Sequence, residues 1–233
     1  MTNVDFTEGL KWYMVFLFST TAHEAAHAWT AYKLGDDTAY RGGQVTLDPT
    51  PHIKREPIGM VVVPILSYLL GGWMLGWASA PYNPQWAARH PKHAATMALA
   101  GPVSNLIILL LAAIAIRVGM HFDYFTPPES ITAGHVVEAG SSTGYFVASF
   151  VGIFFSLNLL LCTFNLLPLP PLDGSGVLMY FIPEESAERF MDGLRHPMLR
   201  MFGLLIAWKL FGVIFPAIQL FAVNLLYPGL HYQ

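Results

Sequence analysis

Charged residues are scarce in this chain. Lysine, arginine, aspartate and glutamate together make up 12% of its 233 positions, whereas they make up about a quarter of an ordinary soluble domain. The basic residues form no cluster with interleaved aromatic side chains, and the net charge is only -3. This composition excludes a typical soluble domain and gives no support to a nucleic-acid-binding protein.

Cysteine is nearly absent as well. The single Cys162 lies in an apolar run, so no disulfide can form within the chain. We expect its thiol to fill space between helices. We expect no cleavable signal peptide, because residues 1–9 are mildly acidic and lack a basic region and an A-x-A cleavage site.

Hydrophobic residues, in contrast, make up 54% of the chain. They concentrate in five segments, each as long as the roughly 20 residues that cross a hydrocarbon core. The segments cover about residues 10–34, 58–78, 93–118, 145–167 and 201–227. The sequence therefore predicts a single all-α polytopic membrane domain over residues 1–233, with four to five membrane segments.

The first apolar segment contains an H-E-x-x-H motif, His23-Glu24-Ala25-Ala26-His27. Residues four apart lie above one another on a helix, so His23 and His27 can present two imidazole nitrogens to one metal ion. A hydrolytic zinc site keeps one position open for water and lowers the pKa of that water. Glu24 is then placed to accept the proton of the water and pass it to a leaving amine.

The same motif also occurs by chance in helices that bind no metal. Here its surroundings favour function, because His23, Glu24 and His27 are the only ionisable side chains, tyrosine apart, between residues 12 and 32. Ionisable groups at membrane depth are costly and are usually functional. A structural role would explain one of the three more easily than all of them.

The loop after the first segment predicts a small membrane-associated β hairpin or extended edge. Residues 44–47 are β-prone, and the Asp-Pro-Thr-Pro sequence at 48–51 favours a turn. Basic residues from Lys33 to Arg55 place this loop in the cytoplasm by the positive-inside rule. The H-E-x-x-H motif, one to two turns before Lys33, should lie near that side.

The second apolar segment conflicts with a simple crossing. Pro64, Gly71 and Gly72 interrupt residues 58–78, and a loop with basic residues follows. A full crossing would put this basic loop outside and the acidic loop after the third segment inside, against the positive-inside rule. A re-entrant segment that enters and leaves by the cytoplasmic face removes the conflict. The alternative is that two loops depart from a statistical rule.

Two further polar constellations interrupt the apolar segments. Asn105 follows the pair Gly101-Pro102, and its amide either bonds a neighbouring helix or serves the site. Asp173 follows a proline-rich break that begins at Asn165, and it is either an ordinary helix N-cap or the third ligand of a two-histidine site. Other nearby aspartates lie in the loop after the first segment, which makes Asp173 the best-placed third ligand.

In their order along the chain, these motifs resemble the site-2 proteases, the M50 family of intramembrane zinc metalloproteases. The matching stretches are the H-E-x-x-H motif and residues 43–52, 76–84, 100–105 and 165–174. The resemblance implies one zinc ion per chain and hydrolysis of a membrane-spanning protein substrate near the cytoplasmic side, as in regulated intramembrane proteolysis. It also implies a multi-pass protein of the inner or plasma membrane of the cell.

The resemblance also implies roles for particular residues. His23, His27 and Asp173 are expected to bind zinc, and Glu24 to act as the catalytic base. Asn105 and Asn165 are expected near the substrate backbone or the oxyanion, without a choice between them. The chain has no room for the PDZ or CBS modules of some family members, so we expect one domain in contact with the lipid bilayer.

Two alternatives use the same residues without proteolysis. A zinc transporter or sensor would carry or detect the metal, but a transporter usually shows ligands across the membrane and internal repeats, and neither is evident here. A catalytically inactive structural protein would be expected to lack Glu24 or Asp173, and both are present. The sequence leaves the substrate and the oligomeric state open.

Overall fold

The chain folds almost entirely into helices. A computed structural model of the protein describes residues 5–233 and, of Ser142 and Glu184, the backbone alone. In chain order the α-helices are α1 Phe6–Lys33, α2 Thr38–Arg41, α3 Thr50–Arg55, α4 Val63–Gly71, α5 Pro84–Arg89, α6 Pro91–His121, α7 Ser142–Asn165, α8 Asp173–Val177, α9 Glu184–Arg195 and α10 Pro197–Leu226. A π-helical turn, Ile58–Val62, precedes α4, and a 3-10 turn, Leu178–Tyr180, follows α8. The predicted all-α class is confirmed.

Three of these helices are long and apolar enough to span a membrane: α6, α7 and α10. The 28-residue α1 has the length, but the polar residues of the H-E-x-x-H motif and the turn before it lower its apolar character. The apolar helix within residues 58–71 is too short to cross. The structure therefore supports a multi-pass protein with three such helices in residues 5–233, and the predicted four to five segments are not confirmed.

Consecutive long helices run in opposite directions, so α1 is parallel to α7 and α6 is parallel to α10. Near the start of α1, Lys11 Nζ donates to Ser149 Oγ of α7 at 2.6 Å. At the C-terminal ends of α6 and α10, Arg117 Nη1 donates to the carbonyl oxygen of Leu226 at 3.2 Å. The start of α1, the 122–141 loop and the end of α10 therefore lie at one end of the bundle. The loops that follow α1 and α7 lie at the other end.

The apolar core has several parts. One cluster joins α6, α7, α10 and the 122–141 loop, and includes Ile116, Val136 and Tyr227. A second packs Trp12 and Phe16 of α1 against α7. The amphipathic α9 covers the end opposite the 122–141 loop, where its Met191 packs with Trp86 of α5. Packing on both sides thus fixes α1 between α7 and the segment that contains α4.

Residues 58–78 turn back on themselves. After α4 the chain reverses at Gly72, whose φ of 74° lies in the left-handed region that favours glycine. Residues 73–78, which return along α4, are held by two hydrogen bonds. These run from Leu75 N to Ser67 Oγ at 2.9 Å and from Trp77 N to the Gly59 carbonyl oxygen at 3.1 Å. Both ends of this segment are therefore adjacent, as a re-entrant segment requires. Which side of a membrane they face stays a prediction.

The predicted β hairpin at residues 44–47 is wrong. Residues 5–233 contain no β-strand, and their two isolated β-bridges both lie in the 122–141 loop. Gln44 N bonds the Ala39 carbonyl oxygen and closes a turn after α2, and Thr50 begins the helix α3 where a second strand was expected. Because Pro51 is favourable in the first turn of a helix, the β-prone residues at 45–47 are left without a partner strand.

Candidate metal centre

The two histidines of the H-E-x-x-H motif lie side by side on α1. The helix continues unbroken through the motif, so His23 and His27 are separated by one turn and project to the same face. Their Nε2 atoms are 3.0 Å apart, and their rings are inclined at 81°. Both side chains are buried, with residue exposures of 6% and 7%.

Asp173 reaches the same point from another part of the chain. The proline-rich break after α7 ends where α8 begins, and Asp173 is the first residue of α8. Its Oδ2 lies 3.0 Å from His23 Nε2 and 3.3 Å from His27 Nε2. The backbone is tightly held there, since a Cβ on Gly174 would lie 2.3 Å from the Leu166 carbonyl oxygen. The structure thus brings together the three residues predicted to bind zinc.

The second ring nitrogen of each histidine has its own hydrogen-bond partner. His23 Nδ1 lies 2.6 Å from Asn105 Oδ1, and His27 Nδ1 lies 2.7 Å from the Met97 carbonyl oxygen. Because both partners are acceptors, each Nδ1 carries the hydrogen and donates it. The Nε2 lone pairs of both rings therefore point at each other and at the Asp173 carboxylate.

This donor set fits a zinc ion. Three acceptor atoms converge, and a cation between them removes their mutual repulsion. Tetrahedral zinc with bonds of about 2.0–2.1 Å requires ligand atoms about 3.3 Å apart, close to the observed 3.0–3.3 Å. The adjacent Gly101 leaves the space free, since a Cβ there would lie 2.3 Å from His27 Nε2 and 2.5 Å from His23 Nε2. Among the side chains that the structure describes, this is the one group of three or more possible metal ligands.

Glu24 is next to this cluster in sequence and is also buried, with an exposure of 6%. The hydrogen bonds of the cluster are made by the histidines and Asp173, and none of them in the described part of the chain involves the Glu24 carboxylate. Its role as the catalytic base stays a prediction.

The two asparagines predicted to lie near the substrate differ in their surroundings. Asn105 is fully buried behind His23, and its Nδ2 donates to Asn158 Oδ1 at 2.9 Å and to the Ser19 carbonyl oxygen at 3.4 Å. Both of its amide hydrogens are thus engaged within the helix bundle, which leaves none for a substrate oxyanion. Asn165 is half-buried at the end of α7 and donates to the Leu161 carbonyl oxygen of its own helix. Its role at the oxyanion stays a prediction.

The sequence interpretation missed Asn158. This residue is fully buried in α7, and it bonds both α1 and α6. The signal was present, because an amide in the middle of an apolar membrane helix is costly unless it has a partner. What the sequence did not provide was the identity of that partner.

Comparison with known proteins agrees with the site. The family model described as "Peptidase family M50" matches residues 12–210. The chain is 37% identical to YwhC of Bacillus subtilis over 171 residues, which are 73% of this chain and 68% of YwhC. It is 29% identical to Rip2 of Mycobacterium tuberculosis over 213 residues, which are 90% of this chain and 73% of Rip2.

A further relative is Rip2 of Mycolicibacterium smegmatis, 27% identical over 163 residues, which are 70% of this chain and 54% of that protein. All three relatives have names that describe candidate zinc metalloproteases. No solved structure matches the chain. The family model covers most of the chain, and His23, His27 and Asp173 form a donor set that suits zinc. The protein therefore belongs to peptidase family M50 and is a zinc metalloprotease of the site-2 type.

Proposed function

We propose that this protein hydrolyses a peptide bond of a membrane-spanning protein substrate near the cytoplasmic face, as in regulated intramembrane proteolysis. The observation that carries the proposal is the convergence of His23, His27 and Asp173 within a bundle of apolar helices, with the buried Glu24 next to His23 in sequence. A catalytic centre among such helices is accessible to a substrate that is itself in the membrane.

The distribution of basic residues supports a cytoplasmic site. The end of the bundle that holds the site carries most of the basic side chains, whereas residues 122–141 at the opposite end carry none. Basic loops remain in the cytoplasm by the positive-inside rule. The basic residues at the site end are Lys33, Arg41, Lys54, Arg55, Arg89, Lys92, Arg189, Arg195 and Arg200.

The chemistry follows from the residues around the centre. Bound zinc supplies Lewis acidity, which activates water and polarises a peptide carbonyl group. Glu24 accepts a proton from the water and delivers it to the leaving amine. Asn165, whose amide bonds its own helix and no other group in the described residues, is the candidate for donating to the oxyanion after a change of rotamer.

Residues 45–47 are the proposed contact for the substrate backbone. A peptide bond within a helix has its carbonyl group engaged, so the substrate has to unwind locally before hydrolysis. Leu47 is exposed, and residues 45–47 belong to no helix or strand. An extended substrate segment can therefore add to this stretch through main-chain hydrogen bonds. This proposal replaces the preformed hairpin with pairing that forms when the substrate binds.

The substitution Glu24→Gln tests the proposed function. Glutamine has nearly the same shape but accepts no proton at neutral pH, so cleavage of a transmembrane test substrate should fall about 100-fold to 10,000-fold while zinc content is kept. Asp37→Asn serves as the control, because Asp37 forms an exposed ion pair with Arg41 away from the centre, and it should cleave at the normal rate. Unchanged cleavage by the Glu24→Gln protein would reject the mechanism, and zinc flux into liposomes would favour a transporter.

A further inference from the structure

The two histidines of the metal centre are supported in different ways. His27 Nδ1 donates directly to a main-chain carbonyl oxygen, that of Met97, which can only accept. His23 Nδ1 faces a side-chain amide, that of Asn105, at 2.6 Å. An amide can present either its oxygen or its NH2 group, so the tautomer of His23 depends on what orients Asn105.

Asn105 belongs to a chain of buried hydrogen bonds across three helices. Asn105 Nδ2 donates to Asn158 Oδ1 at 2.9 Å. Asn158 Nδ2 in turn donates to Ser19 Oγ and to the Phe154 carbonyl oxygen, both at 2.9 Å. Asn105, Asn158 and Ser19 are each 0% exposed, so water cannot replace any of these partners.

The direction of this chain is fixed at its far end. The Phe154 carbonyl oxygen can only accept, so Asn158 has to turn its NH2 group towards it and its Oδ1 towards Asn105. Asn105 then has to turn its NH2 group towards Asn158, and the Ser19 carbonyl oxygen favours the same orientation. Its Oδ1 therefore faces His23 and accepts a hydrogen from Nδ1. This leaves the lone pair of His23 Nε2 free for a metal ion.

We propose that Asn158, acting through Asn105, is a positioning residue that fixes the tautomer and ring orientation of His23. Helix packing alone would explain why Asn158 has hydrogen-bond partners. It would not explain why the chain of hydrogen bonds from Phe154 through Asn158 and Asn105 ends at His23, a predicted metal ligand. Partners of this kind typically change metal affinity by about 10-fold to 100-fold when they are removed. The inference rests on the proposed role of His23 as a ligand.

The test is zinc affinity of the full chain in detergent, measured by competition with a chelating dye. Asn158→Leu should weaken zinc binding about 10-fold, because Asn105 is then free to present its NH2 group to His23. Ser156→Ala is the matched control, since Ser156 is buried on the same helix and its hydroxyl has no hydrogen-bond partner in the described residues. It should bind zinc with normal affinity.

A second substitution separates positioning from packing. In Asn105→Asp both side-chain oxygens can accept from His23 Nδ1, so the tautomer no longer depends on Asn158. Adding Asn158→Leu should therefore cost little zinc affinity in the Asn105→Asp background. A role in packing alone predicts the same loss in both backgrounds, and that result would overturn the proposal.

Two further variants distinguish the possible failures. If Asn158→Leu does not fold, Asn158→Ser replaces it, because a serine hydroxyl can bond the backbone of its own helix but is too short to reach Asn105. His23→Ala should lose zinc. If the Asn158 variants bind zinc with normal affinity and His23→Ala loses zinc, the positioning role of Asn158 is refuted but the metal site is not. Retention of zinc by His23→Ala would refute the metal site itself.

Discussion

At the scale of single residues, the centre depends on acceptor atoms that have no other partner. The Nδ1 hydrogens of His23 and His27 are both engaged behind the site, so both Nε2 atoms face the Asp173 carboxylate. A cation is the group that all three can bind together. The H-E-x-x-H motif indicates the two histidines, but the lone-pair direction of each depends on residues far away in sequence.

Asp173→Ala should lower zinc content about as much as His23→Ala does, because either change removes one of three protein ligands from a tetrahedral site. Metal analysis of purified, folded protein gives the measurement. Asp37→Ala, which removes an exposed carboxylate from the loop after α1, should retain its zinc. Full zinc retention in Asp173→Ala would mean that another group completes the site.

Gly101→Ala should reduce zinc binding although the residue lies within a helix. Replacing glycine with alanine within a helix usually stabilises it by about 0.5–1 kcal/mol. Here the added Cβ would lie 2.3 Å from His27 Nε2, so the ring has to move away from the metal position. Gly193→Ala is the matched control, because α9 leaves open space there, and it should bind zinc normally. Normal zinc content in Gly101→Ala would show that the rings adjust without loss.

At the scale of elements, local sequence patterns predicted the long helices and failed where tertiary contacts decide. The apolar segments at 93–118 and 145–167 correspond closely to α6 and α7, since about 20 apolar residues in a row have few alternatives to a helix. The β-prone residues 45–47 had no such constraint. A strand needs a partner, and the chain that follows forms α3 instead.

The segment at 58–78 gives a testable statement about sidedness. Because its two ends are adjacent, Gln85 should lie on the same side as α9, and Ser130 on the other. Single cysteines at Gln85 and Asp192, in a Cys162→Ser background, should react only with a reagent applied from the cytoplasm. A cysteine at Ser130 should react only from outside. Labelling of the Gln85 cysteine from outside would contradict the re-entrant segment.

At the scale of the whole molecule, the antiparallel order of helices brings distant residues to one end. The His23 and Asp173 side chains are separated by 150 positions, and their contact depends on α7 returning towards the end where α6 began. A full crossing by residues 58–78 would have placed the two on opposite sides. The metal centre therefore forms only if residues 58–78 turn back instead of crossing. The observed reversal of the chain at Gly72 meets this requirement.

The sequence by itself determined that this is a helical membrane protein with an H-E-x-x-H motif, because composition and the spacing of four residues on a helix are local properties. It also indicated Asp173 as the third ligand. Only the tertiary structure decided that Asn105 lies behind His23 with its amide engaged, that Asn158 takes part, and that residues 44–47 form no hairpin. The roles of the two asparagines depend on which groups meet across helices α1, α6 and α7, and the missing hairpin depends on the absence of a partner strand. In both cases the hydrogen-bond partner is distant in sequence or absent, so the local sequence does not indicate it.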